Sequence, residues 1–121
     1  MNVESLFLTE RKKKNMKTFN EWAKEIHDNA VEHGWWDEPR SFAEIVALCH
    51  SELSEALEED RHGKPIIYVE NGKPEGIATE MIDCLIRILD WCAHTGVDVD
   101  ALVQQKHEFN KSRPYKHGKN Y

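Results

Sequence analysis

The sequence has no long apolar run, few cysteines and no excess of positive charge. No stretch approaches the roughly 20 apolar residues that a helix needs to cross a bilayer, so we expect no membrane contact. Three cysteines without paired spacing argue against a disulfide framework and favour free thiols in a reducing cytoplasm. A net charge of −6 works against non-specific binding to nucleic acid, which needs a basic surface.

Zinc-ligand spacing, internal repeats and low-complexity tracts are missing as well. The seven histidines follow no regular metal-binding pattern, so we interpret most of them as surface or satisfied core residues.

At 121 residues the chain is long enough for one domain. Residues 1–16 place a basic cluster after a short apolar patch, the reverse of a secretory signal, and we expect a disordered leader with Met16 as an alternative start. The domain then covers residues 17–121.

Helix start and stop signals divide this domain into four helices. Thr18 and Ser41 each precede a glutamate by three residues, the form of a capping box, and Asp98 is a third N-cap. Glycines and a proline mark the ends. The predicted helices cover residues 19–33, 42–61, 77–94 and 99–112. Residues 62–76 break the helical pattern and predict a loop with a short hairpin at Asn71-Gly72. We therefore expect an all-α, four-helix bundle.

The apolar faces predict how these helices pack. On the second helix, Glu52 lies at the edge of an apolar stripe with i, i+3, i+4 spacing, which predicts a partly buried carboxylate. On the third helix, Ile82, Ile86 and Leu89 extend the apolar face past half the circumference. Four helices cannot easily bury so wide a face, so we expect a homo-oligomer; the alternative is an irregular monomer core.

Two acidic pairs point to chemistry. Glu52 with Glu55 and Glu80 with Asp83 each share a helix face because they are three residues apart. Either pair alone is typical of a solvated charged face. Their positions are more specific, since one borders a core stripe and the other occupies the polar strip of an apolar helix. Packed together, the four carboxylates would repel by about 4 kcal/mol per pair and would need a cation, for which oxygen ligands indicate Mg²⁺ or Mn²⁺.

The fourth helix becomes basic toward its C-terminus, where Lys106, Asn110 and Arg113 share one face. These donors suit a phosphate group, although cations at a helix C-terminus also complement the helix dipole. Three tryptophans, Trp22, Trp35 and Trp36, lie in or just after the first helix, where a planar base could stack on them. The alternative for the tryptophans is a place in the core.

The arrangement Glu52-x-x-Glu55, 24 intervening residues and Glu80-x-x-Asp83 resembles the MazG-like all-α nucleoside triphosphate pyrophosphohydrolases. The resemblance implies a homo-oligomeric bundle, dimer or tetramer, with Mg²⁺ held by these four acids. It also implies hydrolysis of a nucleoside triphosphate to a monophosphate and pyrophosphate. By the same resemblance Lys106, Asn110, Arg113 and Tyr115 contact the phosphates. Ser51 departs from the pattern, because many members carry a further acid there, and the number of metal ions stays open.

The hypothesis for the mechanism is in-line attack of water on the α-phosphorus, with Glu55 orienting or deprotonating the water and Glu59 as second choice. A non-enzymatic helical adaptor is one alternative. A di-metal carboxylate bundle is another, but it would use Glu-x-x-His on two helices, and the match here is Glu59 with His62 at a helix end.

Overall fold

A computed structural model describes residues 16–120, so all but the last residue of the leader expected over residues 1–16 lies outside the described residues. The described chain is mostly helical, and each helix boundary differs from the sequence prediction by at most one residue. In chain order the elements are α1 Phe19–Glu32, α2 Phe42–Arg61, β1 Tyr68–Glu70, β2 Lys73–Glu75, α3 Ile77–Thr95, α4 Val99–Lys111 and a 3-10 turn over Tyr115–Gly118. No helix in this part of the chain is long and apolar enough to cross a membrane.

Local hydrogen bonds explain where the helices begin. At α1, Thr18 accepts from the backbone N–H of Glu21, and the Glu21 carboxylate accepts from the backbone N–H of Thr18, both at 3.1 Å. This confirms the capping box. Ser41 accepts from the backbone N–H of Glu44 at α2, and Asp98 caps α4 in the same way. Such caps are each worth about 1 kcal/mol, which explains why short sequence signals predicted the helix starts.

The predicted hairpin is present between α2 and α3. Strands β1 and β2 pair antiparallel with Tyr68 opposite Glu75, and the turn places Asn71 and Gly72 at φ 52° and 77°. Gly76 follows at φ 112°, and a β-carbon there would clash with the carbonyl oxygen of Ile66. Because the backbone N–H of Ala78, in the first turn of α3, donates to that carbonyl at 3.1 Å, the base of the hairpin is held against the start of α3.

Helix α3 is central and packs against both α1 and α2. The buried core contains Ala23, Leu89, Cys92 and Val99. Leu89 therefore differs from the expectation that it extends an unpartnered face, because α1 and the start of α4 cover it. Ile82 and Ile86 do remain exposed, at 51% and 38%. Further exposed apolar residues on α3 and α4 are Met81, Leu85, Ile88, Leu102, Val103 and Phe109.

Candidate metal centre

Helices α2 and α3 bring three of the four predicted carboxylates to one point. One oxygen atom from each of Glu52, Glu80 and Asp83 lies within 4.8 Å of the other two. Glu52 is only 7% exposed and Glu80 only 8%, because their helix faces meet at the contact between α2 and α3. Glu55 is exposed one turn beyond Glu52, beside Glu80. Three of the four acids singled out from the sequence therefore converge, and the fourth, Glu55, neighbours Glu80.

The electrostatics of this cluster are those of an acidic site that is only partly compensated. Burial, followed by the neighbouring carboxylates of Glu55 and Glu52, raises the pKa of Glu80 from 4.5 to about 8. Burial and the charge of Glu52 raise the pKa of Asp83, which the nearby Arg87 guanidinium partly opposes. One carboxylate oxygen of Glu80 is buried and receives no hydrogen bond from any described residue. A cation is the natural partner for such an oxygen, since buried polar atoms are otherwise paired.

Arg87 supplies one positive charge to the cluster, which the sequence reasoning did not assign. Its Nε and Nη2 atoms lie 3.0 and 2.9 Å from the same oxygen, Oε1 of Glu52. The pair compensates Glu52, whereas Glu80 and Asp83 have no equivalent partner among residues 16–120. The guanidinium reaches from α3 across to α2.

Two clefts open on either side of the carboxylates. The first has a volume of about 320 Å³ and is lined by Glu52, Asp83, Arg87, Trp35 and Arg40, among others. The second has a volume of about 550 Å³ and lies between the end of α2 and the hairpin. Its lining includes Glu55, Glu59, Tyr68, Glu75 and Glu80. Glu52 and Asp83 line the first cleft and Glu80 lines the second. Because the carboxylate oxygens of all three lie close together, the cluster separates the two clefts.

The three tryptophans are in different surroundings. Trp35 lines the first cleft together with Asn29 and Ile86, so it is in position to contact a planar group. Trp36 is already stacked on His94 at a centroid distance of 3.8 Å, and its indole N–H donates to Asp90. Trp22 is half exposed with the Lys17 ammonium 4.5 Å from its ring, and it lines neither cleft.

A buried polar network beside the first cleft was also not identified from the sequence. Asp90 is 7% exposed and lies 2.7 Å from Nδ1 of His27, in addition to its bonds from Trp36. The Arg40 guanidinium is 3.8 Å away. Asp90 therefore has three partners from α1 and the segment after it. The network ties that segment to α3 and holds the wall of the cleft in place.

The predicted phosphate-binding residues lie apart from the carboxylates within one chain. Lys106 and Asn110 line an apolar groove between α4 and the end of α3. Arg113 lies against the ring of Phe109, and Tyr115 is 89% exposed. None of these four residues lines either cleft beside the acidic cluster. A single chain does not bring the two predicted sets together.

The donor set fits a hard divalent cation. Every group of potential metal ligands found in residues 16–120 is made of carboxylates, without histidine or cysteine. The three cysteines are free thiols. Oxygen-only ligands suit Mg²⁺ or Mn²⁺ rather than zinc, and Glu52, Glu55, Glu80 and Asp83 are the residues that would hold the ion.

No family model, curated protein or solved structure matches this chain.

Proposed function

We propose that this chain is a Mg²⁺-dependent nucleoside triphosphate pyrophosphohydrolase that uses Glu52, Glu55, Glu80 and Asp83. The observation that carries the proposal is the convergence of Glu52, Glu80 and Asp83, with a buried Glu80 oxygen that receives no hydrogen bond from the described residues. The spacing of the two acidic pairs, which resembles the MazG-like enzymes, supports the choice of substrate and of the α-β phosphate bond. Mn²⁺ is an alternative ion for the same ligands.

A divalent cation at this point would supply charge neutralisation for the phosphates and activation of the attacking water. The protein residues would orient the attacking water and accept its proton. Glu55 is exposed in the second cleft beside Glu80, which supports a role for it in orienting or deprotonating the water. Glu59 is less suited to that role, because the Tyr68 hydroxyl donates to both of its oxygens at 3.0 Å.

Substrate recognition is assigned to the first cleft and to a second copy of the chain. Trp35 would contact the base, and Asn29, which lines the same cleft, would offer polar atoms to its edge. Lys106, Asn110, Arg113 and Tyr115 would reach the phosphates from a partner chain in a homo-oligomer. The exposed Ile82, Ile86 and Val103 support such an assembly, because isolated chains rarely leave so many apolar helix residues in water. The free thiols are consistent with a cytoplasmic enzyme.

The decisive experiment is a pyrophosphate-release screen across common and damaged nucleoside triphosphates with Mg²⁺. We expect turnover on at least one substrate, its loss on chelation, and its loss in Asp83→Asn. The matched control is Asp28→Asn, which removes an exposed carboxylate on α1. Absence of turnover on every substrate, with Mg²⁺ binding demonstrated, would remove the hydrolase proposal.

A non-enzymatic helical adaptor is the second candidate, and the exposed apolar residues of α3 and α4 favour it. An adaptor would use these faces without needing a cation. The two candidates differ in their response to Mg²⁺: the enzyme should gain melting temperature through ion binding to the folded state, and the adaptor should not.

A further inference from the structure

A second carboxylate cluster lies on the hairpin side of Glu80. One oxygen each from Glu59, Glu75 and Glu80 lies within 4.8 Å of the other two. The three residues come from three elements, since Glu59 is near the end of α2, Glu75 ends β2 and Glu80 is in the first turn of α3. Glu80 is therefore shared with the cluster of Glu52 and Asp83, while Glu59 and Glu75 belong only to the second one.

Acidic residues at a surface are common, so a separate sign of a ligand is needed. Glu80 provides it, because its side chain is more than nine-tenths buried and one oxygen receives no hydrogen bond from the described residues. A buried acceptor left unpaired costs about 1–3 kcal/mol, and more when the group is charged. Arg87 does not serve this oxygen, because both of its nitrogen contacts are made to Oε1 of Glu52.

The other two carboxylates are partly compensated by the hairpin. Tyr68 donates to Glu59, and the Lys73 ammonium lies 3.3 Å from Oε1 of Glu75. The Lys73 side chain is 76% exposed, so it can move away into solvent at little cost. Lys73 is therefore an exposed counter-charge of Glu75 that a bound cation can displace. A divalent cation would bring twice the charge to all three carboxylates at once.

We propose that Glu59, Glu75 and Glu80 form a second divalent-cation site, and that Glu80 bridges it to the site of Glu52 and Asp83. The hairpin is then a structural part of the site, because the pairing of Tyr68 with Glu75 and the close approach of Gly76 to Ile66 place Glu75 beside α2 and α3. Carboxylate oxygens favour Mg²⁺ or Mn²⁺ here as well. This site concerns ion binding alone and does not depend on the hydrolase activity.

The test is titration of the full chain with Mn²⁺ alone, followed by electron paramagnetic resonance and calorimetry without nucleotide. We expect the wild type to bind two ions, with spin coupling between them because one carboxylate bridges both. Glu75→Gln and Glu59→Gln should each weaken one ion by about tenfold or more, the scale on which even outer-sphere changes act. Both should leave the other ion in place. Asp83→Asn should weaken binding of the ion at the site of Glu52 and Asp83 and leave the second site unchanged. Glu80→Gln should weaken binding at both sites.

Two further variants keep the result interpretable. Lys73→Met retains all three carboxylates and should tighten the second ion, which a variant that merely damages folding would not do. Glu108→Gln, on the exposed face of α4, is the control for loss of a glutamate charge. Unchanged Mn²⁺ binding in both Glu59→Gln and Glu75→Gln would overturn the second site, whatever the enzyme assay shows. Loss of the second ion in those variants, in a protein that hydrolyses no triphosphate, would support this site and reject the proposed function.

Discussion

Arg87 holds Glu52 through two nitrogen atoms directed at a single carboxylate oxygen, Oε1, at 3.0 and 2.9 Å. The other oxygen of Glu52 stays available to a cation. This pair crosses from α3 to α2, the two helices that carry the candidate ligands. Arg87 therefore acts as a counter-charge that holds the Glu52 carboxylate in position before any metal binds.

The first prediction concerns that pair. Arg87→Met should destabilise the metal-free protein by about 2 kcal/mol, less than the 3–5 kcal/mol of a fully buried pair because the guanidinium is partly exposed. Mg²⁺ should recover much of the loss by compensating Glu52 directly. Urea unfolding in chelator and in Mg²⁺ measures both effects. Arg61→Met, in a surface pair with Glu58, is the control and should change stability by less than about 0.5 kcal/mol.

The second prediction separates a metal ligand from a structural carboxylate. Asp83→Asn keeps the shape of the side chain and removes one charge from a repelling cluster, so the metal-free protein should be equally or more stable. Its Mg²⁺ affinity and its turnover should collapse. Unfolding in chelator, calorimetry with Mg²⁺ and pyrophosphate release give the three readings. A loss of several kcal/mol in chelator with intact hydrolysis would show that Asp83 is structural.

The third prediction is a pH dependence. Since the folded protein raises the pKa of Glu80 from 4.5 to about 8, the folded state retains a proton that the unfolded chain has released. The metal-free protein should therefore lose stability as the pH rises through this interval. Mg²⁺ should bind more tightly over the same interval, because it competes with that proton. Unfolding measured from pH 5 to 8 in chelator tests the sign, and Glu80→Gln should flatten the dependence.

The fourth prediction addresses the basic face of α4. Lys106→Ala should weaken triphosphate binding much more than Mg²⁺ binding, because the lysine is a point charge for phosphate and not a metal ligand. Calorimetry with Mg²⁺ alone and with a non-hydrolysable triphosphate separates the two. Lys24→Ala, on the exposed face of α1, is a suitable control. An equal loss of affinity for both ligands, or no loss for either, would mean that Lys106 only complements the helix dipole.

The fifth prediction is self-association. Ile82 is 51% exposed on α3, and Ile82→Glu should shift the chain toward the 14.1 kDa monomer by placing a charge in the apolar contact. Sedimentation velocity at micromolar concentration gives the answer. Leu89 is not a useful site for this test, because it is buried in the core of one chain. A wild-type protein that is already monomeric at these concentrations would contradict the prediction.

The sequence by itself determined the elements. Thr18 with Glu21, Ser41, Asp98 and the Asn71-Gly72 turn each act through hydrogen bonds or backbone conformations within a few residues, so the helix boundaries and the hairpin could be predicted from short patterns. The two acidic pairs were identified for the same reason, since residues three apart share a helix face whatever the rest of the chain does.

Only the tertiary structure decided which side chains meet. Glu75 joins Glu80 because the hairpin folds back on α3, and Arg87 pairs with Glu52 instead of Asp83 because α2 lies across it. Asp90 is buried because His27 on α1 and Trp36 and Arg40 after it close over its carboxylate. These contacts depend on the directions in which packed helices cross, and those directions follow from side chains distant in sequence, which no local pattern records.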